Sequence, residues 1–170
     1  YTPTEILDAA GIASVGICGS SQESIPDAEK ILPKNICPLV KSTFGFAYTQ
    51  KCPYTYFADL IIGETTCDAK KKMYEILNDY KETYVLQLPQ GQGRPYAKAM
   101  WYEEIKIFKE MIEKRFGVEI TDEKLREAAK FRNAFRQAIV DLYELQTHQP
   151  PAMLGTDLMM TVLASTFSLD

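Results

Sequence analysis

Residues 59–80 narrow the possible folds of this chain more than any other stretch. Asp59-Leu60-Ile61-Ile62-Gly63 is an apolar run bounded by polar residues, the pattern of a short buried strand. Glu64-Thr65-Thr66 follows as a sharp turn. A helical pattern then begins, with Met73, Ile76, Leu77 and Tyr80 on one face and Lys70, Lys71 and Lys72 starting near the other. Thr66 reads as the N-cap, which puts Cys67 at the first helical position. Unpaired N–H groups and the helix dipole favour a thiolate there. The same cysteine follows the carboxyl end of a strand, where open α/β sheets place their ligands.

The flanking sequence extends this unit. Thr2-Pro3-Thr4-Glu5 reads as a capped helix start, and Gly11 as its stop. Ile12 to Cys18 is an apolar, β-branched run expected to be a buried strand. A short helix is expected over 25–32, opened by Pro26. Asn35 reads as the cap of a helix with Pro38 in its first turn, running to Tyr48. Thr83 to Leu88 is a third expected strand, followed by the loop Pro89-Gln90-Gly91-Gln92-Gly93-Arg94-Pro95. From Tyr96 the pattern is helical: 96–116 ended by Gly117, a second helix capped by Thr121 and running to about Leu145, and a last one over about 153–167.

Strands thus alternate with helices over residues 1–95, and helices alone fill 96–170. The expected fold is α/β, a Rossmann- or flavodoxin-like parallel sheet on 12–18, 59–63 and 83–88, followed by an all-helical segment. Three strands make a small sheet, and Tyr1 is not a start methionine. The chain reads as an excised piece of a larger protein.

The charge balance bears on partners. Nineteen basic residues against 23 acidic ones give a net charge of −4. No basic patch with interleaved aromatics stands out, so no nucleic-acid partner is expected. No apolar run reaches the ~18 residues of a membrane span, so none is expected either.

Four cysteines stand at 18, 37, 52 and 67, the last three evenly spaced. The chain is larger than a disulfide-stapled scaffold and has an ordinary core composition. Reduced thiols in a cytoplasmic setting are therefore expected. Paired cysteines of the zinc kind are missing. Thiols scattered over loops and helix starts suit an iron–sulfur cluster better, since the cubane is large and takes thiolate ligands. Buried structural cysteines are the alternative.

Three segments together resemble a known family: Asn35-Ile36-Cys37-Pro38-Leu39-Val40-Lys41-Ser42-Thr43-Phe44-Gly45-Phe46, then Cys52-Pro53, then Cys67-Asp68-Ala69-Lys70-Lys71-Lys72-Met73-Tyr74-Glu75. The family is that of the 2-hydroxyacyl-CoA dehydratases, which includes subunits of ATP-dependent benzoyl-CoA reductases. The branch resembled most is that of the double-cubane cluster proteins. The resemblance implies two Rossmann-like domains and a helical region, with the second α/β domain missing from this chain. It implies iron–sulfur clusters, 4Fe-4S in the dehydratases and an 8Fe-9S double cubane in the double-cubane branch. It further implies an ATP-hydrolysing 4Fe-4S activator protein that delivers low-potential electrons, and anaerobic chemistry. Dehydratase members remove water from a 2-hydroxyacyl-CoA through a ketyl radical as heterodimers. Double-cubane members reduce small molecules and are expected to be homodimers.

By the same resemblance, Cys37 and Cys67 match cysteines shared across the family, and Cys52 matches the double-cubane branch. These three are the expected cluster ligands. They make up half a double cubane at most, so the isolated piece need not hold a cluster, and without one it has no catalytic power of its own; the full-length protein is expected to be an enzyme. Cys18 reads as a packed core thiol, with ligation the weaker alternative. Glu64 and Asp68 flank Cys67 and are candidate proton relays, although the helix dipole equally explains Asp68. Lys70 to Lys72 read as a solvated face or an electrostatic patch, Arg94 as a candidate anion ligand, and His148 as a surface residue. Ser20 and Ser21 lack a paired base. Three function classes stay open: an activator-dependent reductase, a 2-hydroxyacyl-CoA dehydratase subunit, and a non-catalytic α/β binding domain with structural cysteines.

Overall fold

A computed structural model describes residues 1–17, 19 and 21–167. The elements are α1 (Thr4–Ala9), α2 (Ile25–Ala28), α3 (Pro38–Tyr48), α4 (Pro53–Phe57), β1 (Ile61–Glu64), α5 (Asp68–Leu77), β2 (Thr83–Leu86), α6 (Ala97–Phe116), α7 (Asp122–Glu144), a 3-10 turn (Leu145–Thr147) and α8 (Gly155–Ser165). The fold is α/β with a small parallel sheet and mostly helices. Two compact units divide the chain: Tyr1–Thr2 with Ile17–Phe108, and Pro3–Gly16 with Lys109–Asp170.

In the first unit β1 and β2 pair in parallel, Ile61 opposite Thr83 and Glu64 opposite Leu86. Two parallel strands need a long crossover between them, and α5 supplies it. Ile61 and Gly63 face α5, since alternate residues of a strand share a face. Ile61 joins Ala28, Leu32, Val40, Phe44, Met73 and Leu77 in one buried cluster, so α2, α3 and α5 close over this face. Tyr84 points the other way and meets Phe108 of α6, ring centroids 5.6 Å apart. The Gln87 N–H donates to Glu104 at 2.9 Å and ties the same helix to the end of β2. Both faces of the sheet are thereby covered by helices.

The expected strand over 12–18 does not form across its described residues, 12–17; Cys18 lies outside them. The physical reason is in the backbone and in the side chains. The Ile12 N–H returns to Leu7 O at 2.9 Å, and the Gly16 N–H donates to Thr166 O at 2.9 Å, so neither joins a ladder. Ala13, Ser14 and Gly16 add little bulk for a sheet face to pack. The sheet therefore has two strands among the described residues, and its likeness to a doubly wound fold is a matter of local β-α-β arrangement alone.

In the second unit α1 lies along α7. Arg132 grips Asp8 with two N–H···O bonds of 2.5 and 2.6 Å, and Arg136 reaches Glu5. Helix α1 ends as expected at Gly11, whose φ of +71° is the left-handed region that glycine enters freely. Gly11 N–H to Asp8 O and Ile12 N–H to Leu7 O complete a Schellman end. Its start is different. Thr2 makes no cap, because its hydroxyl and its N–H both donate to Glu64, and Glu5 is engaged by Arg136. Helix α7 starts as expected, with Thr121 Oγ1 accepting from Lys124 N. No helix among the described residues is long and apolar enough to cross a membrane.

Candidate functional site

Each of the three described cysteines is the residue immediately before a helix. Cys37 precedes α3, Cys52 precedes α4 and Cys67 precedes α5. At two of them the reading from sequence shifts by a position or more: Cys37 itself is the N-cap rather than Asn35, and Cys67 is the cap rather than Thr66. Helix α4 after Cys52 was not expected, although Pro53 at its first position is a helix-opening signal.

Local chemistry sets this arrangement. Pro38 and Pro53 carry no N–H, so each fits a first helical position whose donor would be orphaned. The Cys37 carbonyl accepts the first helical bond of α3, from Lys41 N at 3.1 Å. The Cys52 carbonyl accepts from Tyr56 N at 3.0 Å and from the Thr55 hydroxyl at 3.2 Å. At Cys67 the sulfur does what a serine oxygen does at a cap: Sγ accepts from Lys70 N at 3.4 Å. All three thiols are free of disulfides. Cys37 and Cys67 are exposed and Cys52 is half-buried.

The carboxyl ends of α3 and α5 meet in an aromatic junction. Tyr48 and Tyr80 contact edge to face at 5.1 Å, and Phe44 meets Tyr80 at 6.2 Å. The two helices share the cluster of Val40, Phe44, Met73 and Leu77. Their amino ends, with Cys37 and Cys67, point away from that junction. Among the described residues no three His, Cys, Asp or Glu side chains are grouped so as to hold a metal ion. What the three cysteines share is the helix start.

The turn before Cys67 is latched to the end of β2. Thr65 N donates to Leu86 O at 3.1 Å, and Leu88 N donates to the buried Thr65 hydroxyl at 2.8 Å. Lys71 Nζ lies 3.4 Å from both Asp68 and Gln90, and Lys72 pairs with Glu75 at 2.6 Å, so two of the three lysines are held on their own surface. Arg94 is exposed, with its backbone N–H on Gly91 O. Glu64 Oε1 accepts from the Tyr1 amino group, the Thr2 N–H and the Thr2 hydroxyl at 3.0 to 3.3 Å. The Asp68 side chain is fully exposed. His148 is on the surface, as expected.

Two features here escaped the sequence reading. Lys41 is buried, and its Nζ donates to Glu29 at 2.6 Å and to Lys34 O at 2.8 Å, which fixes the loop that leads into Cys37. Tyr74 lays its ring over Gly63, and a glycine inside a strand is a recognised sign of such close approach.

Comparison with known proteins gives concordant matches. The family described as 2-hydroxyglutaryl-CoA dehydratase, D-component, matches residues 1–170. The putative dehydratase subunit YjiM of Escherichia coli (strain K12) is 45% identical over 170 residues, 100% of this chain and 44% of that protein. The (R)-phenyllactyl-CoA dehydratase beta subunit of Clostridium sporogenes is 28% identical over 92% of this chain and 41% of its own length. A benzoyl-CoA reductase subunit of Thauera aromatica is 24% identical over 96% of this chain and 43% of its own length. The chain spans less than half the length of each of these curated relatives.

Proposed function

The chain belongs to the 2-hydroxyglutaryl-CoA dehydratase D-component family, and on that premise we propose that it is part of an iron–sulfur subunit of a 2-hydroxyacyl-CoA dehydratase. The observation that carries this is the match along the whole chain, at 45% identity, to a putative dehydratase subunit. The proposed substrate class is the CoA thioester of a 2-hydroxy acid, and the reaction is loss of water.

Cys37, Cys52 and Cys67 are the proposed thiolate ligands. Their chemistry suits an iron–sulfur group: three free thiols, two of them exposed, each immediately before a helix, with Cys67 Sγ accepting a backbone N–H. A cubane offers iron at separate corners, so its thiolates need not converge on one point as the ligands of a single ion do. When bound, such a cluster supplies single low-potential electrons. The chain's own part is to hold the sulfurs at fixed helix starts and to latch the turn at Thr65 that leads into Cys67. The proposed electron donor is an ATP-dependent 4Fe-4S activator, and the proposed partner is a second subunit.

A second reading is an activator-dependent reductase of the double-cubane branch, homodimeric and acting on a small molecule. Cys52 favours it, together with the benzoyl-CoA reductase relative. The exposure of Cys37 and Cys67 speaks against packed structural thiols in a non-catalytic domain.

The test is anaerobic purification of the full-length protein, followed by iron and sulfide assay and incubation with activator, ATP and 2-hydroxyacyl-CoA thioesters. Mass spectrometry should show the thioester losing the mass of water. Gain of hydrogen without water loss would move the assignment to the reductase. A colourless, iron-free protein would sink both.

A further inference from the structure

Tyr74 sits on α5 seven residues after Cys67, two turns along the same face and roughly 10 Å along the axis. Side chains on a helix slope toward its amino end, so a long ring at 74 extends back toward the cap. The ring is half-buried and lies directly on β1. A Cβ built on Gly63 would stand 2.5 Å from Tyr74 Cε2 and Cζ, so the ring occupies this place only because residue 63 is glycine. Gly63 is the last residue before Glu64, at the carboxyl edge of the sheet. The phenol end of Tyr74 is thereby set at the edge from which the turn to Cys67 departs.

Packing alone would be served by phenylalanine. The hydroxyl makes no hydrogen bond within the described residues, and Glu64 Oε1 already accepts from Tyr1 and Thr2. Burial first, then the negative charges of Glu64 and Cys67, push the Tyr74 phenol up to about 12. It therefore remains a neutral O–H, able to donate, across the physiological range.

We propose that Tyr74 is a positioning residue of the Cys67 site: its O–H, aimed by the contact with Gly63, donates to sulfur held at Cys67 and stabilises negative charge there. This rests on the iron–sulfur reading of Cys67. A donor to cluster sulfur favours the reduced state and raises the potential.

The experiment is a redox titration, followed by electron paramagnetic resonance, of the full-length protein purified anaerobically. Four forms are compared: wild type, Tyr74→Phe, difluorotyrosine at position 74, and Cys67→Ser. Tyr74→Phe should keep the wild-type iron content and shift the midpoint to more negative values. Difluorotyrosine keeps the ring and strengthens the donor, so it should shift the midpoint the other way, and it reads the same contact if Tyr74→Phe fails to fold. Unchanged midpoints in a protein that needs Cys67 for its iron would overturn the role of Tyr74 alone. Full iron content in Cys67→Ser would overturn the reading beneath it.

Discussion

At the scale of single residues, Gly45 and Cys67 show how context sets the sign of a substitution. Gly45 lies inside α3, where alanine is ordinarily the better helix former by about 1 kcal/mol. Here a Cβ would run into the Ser24 carbonyl, and no rotamer change can move backbone aside. Ser24 is itself fixed, being fully buried with its hydroxyl on Ser42 O at 2.9 Å. Overpacking of this kind costs about 1–3 kcal/mol, more than the propensity gain. Gly45→Ala should therefore lower the urea midpoint, and an unchanged or raised midpoint would contradict the close approach. Cys67→Ser works in the opposite sense. Serine is a preferred N-cap, so α5 should keep its start, with stability altered by no more than about 0.5 kcal/mol. A serine hydroxyl is a poor substitute for thiolate toward iron. On the proposed iron–sulfur reading, full-length Cys67→Ser should thus melt close to wild type but carry less iron. Equal iron stoichiometry in the two proteins would remove Cys67 from the ligand set.

At the scale of elements, caps made by local chemistry were legible and caps decided by tertiary partners were not. Thr121, Gly11 and Gly117 sit where the sequence puts them, and the two glycines have φ of +71° and +65°. Since Thr121 caps through its own hydroxyl, Thr121→Ala should destabilise by about 1 kcal/mol. A thermal midpoint equal to wild type would mean the cap bond is not formed in solution. Thr2 has equally good cap chemistry, but Glu64 takes its hydroxyl from 62 positions along the chain, and no local pattern announces that. The run 12–18 has the β-branched content of a strand, yet among its described residues the Ile12 and Gly16 N–H groups find Leu7 and Thr166 instead. Strands β1 and β2 were legible from apolar runs with polar flanks, although β1 starts at Ile61 rather than 59 and runs on through Glu64, and β2 ends at Leu86 rather than 88. Cys37 and Cys67 were legible as cysteines at helix starts, whereas Cys52 was not, because Cys52-Pro53 reads as a stop and α4 was unexpected. The site's supporting parts, Lys41 and Tyr74, were not legible either, because a lone lysine and a lone tyrosine on helical patterns carry no local mark of burial or reach.

At the scale of the molecule, each unit depends on carboxylates that are charged when folded, and this fixes how the protein responds to acid. In the first unit the hydrogen bond from Lys41, and then its charge, holds Glu29 below its ordinary value. In the second the hydrogen bond from Lys109 and the N–H of Ile120 do the same for Glu113. A folded-state pKa below the unfolded one means that the unfolded chain binds more protons in the window between them. Stability then rises with pH through that window. The contribution is complete above the ordinary value of 4.5 and is lost as pH falls through the lower folded-state values. Urea midpoints measured at stepwise lower pH should be level near neutrality and fall steeply on the acid side. Lys41→Met assigns part of that fall to one pair. Methionine keeps the aliphatic bulk but releases Glu29, so the variant should be less stable than wild type at neutral pH. As Glu29 is protonated, wild type keeps a buried ammonium with a weakened partner, and the gap between the two proteins should close or reverse. A gap that stays constant from neutral pH into the acid range would show that Lys41 contributes through packing and not through its bond to Glu29.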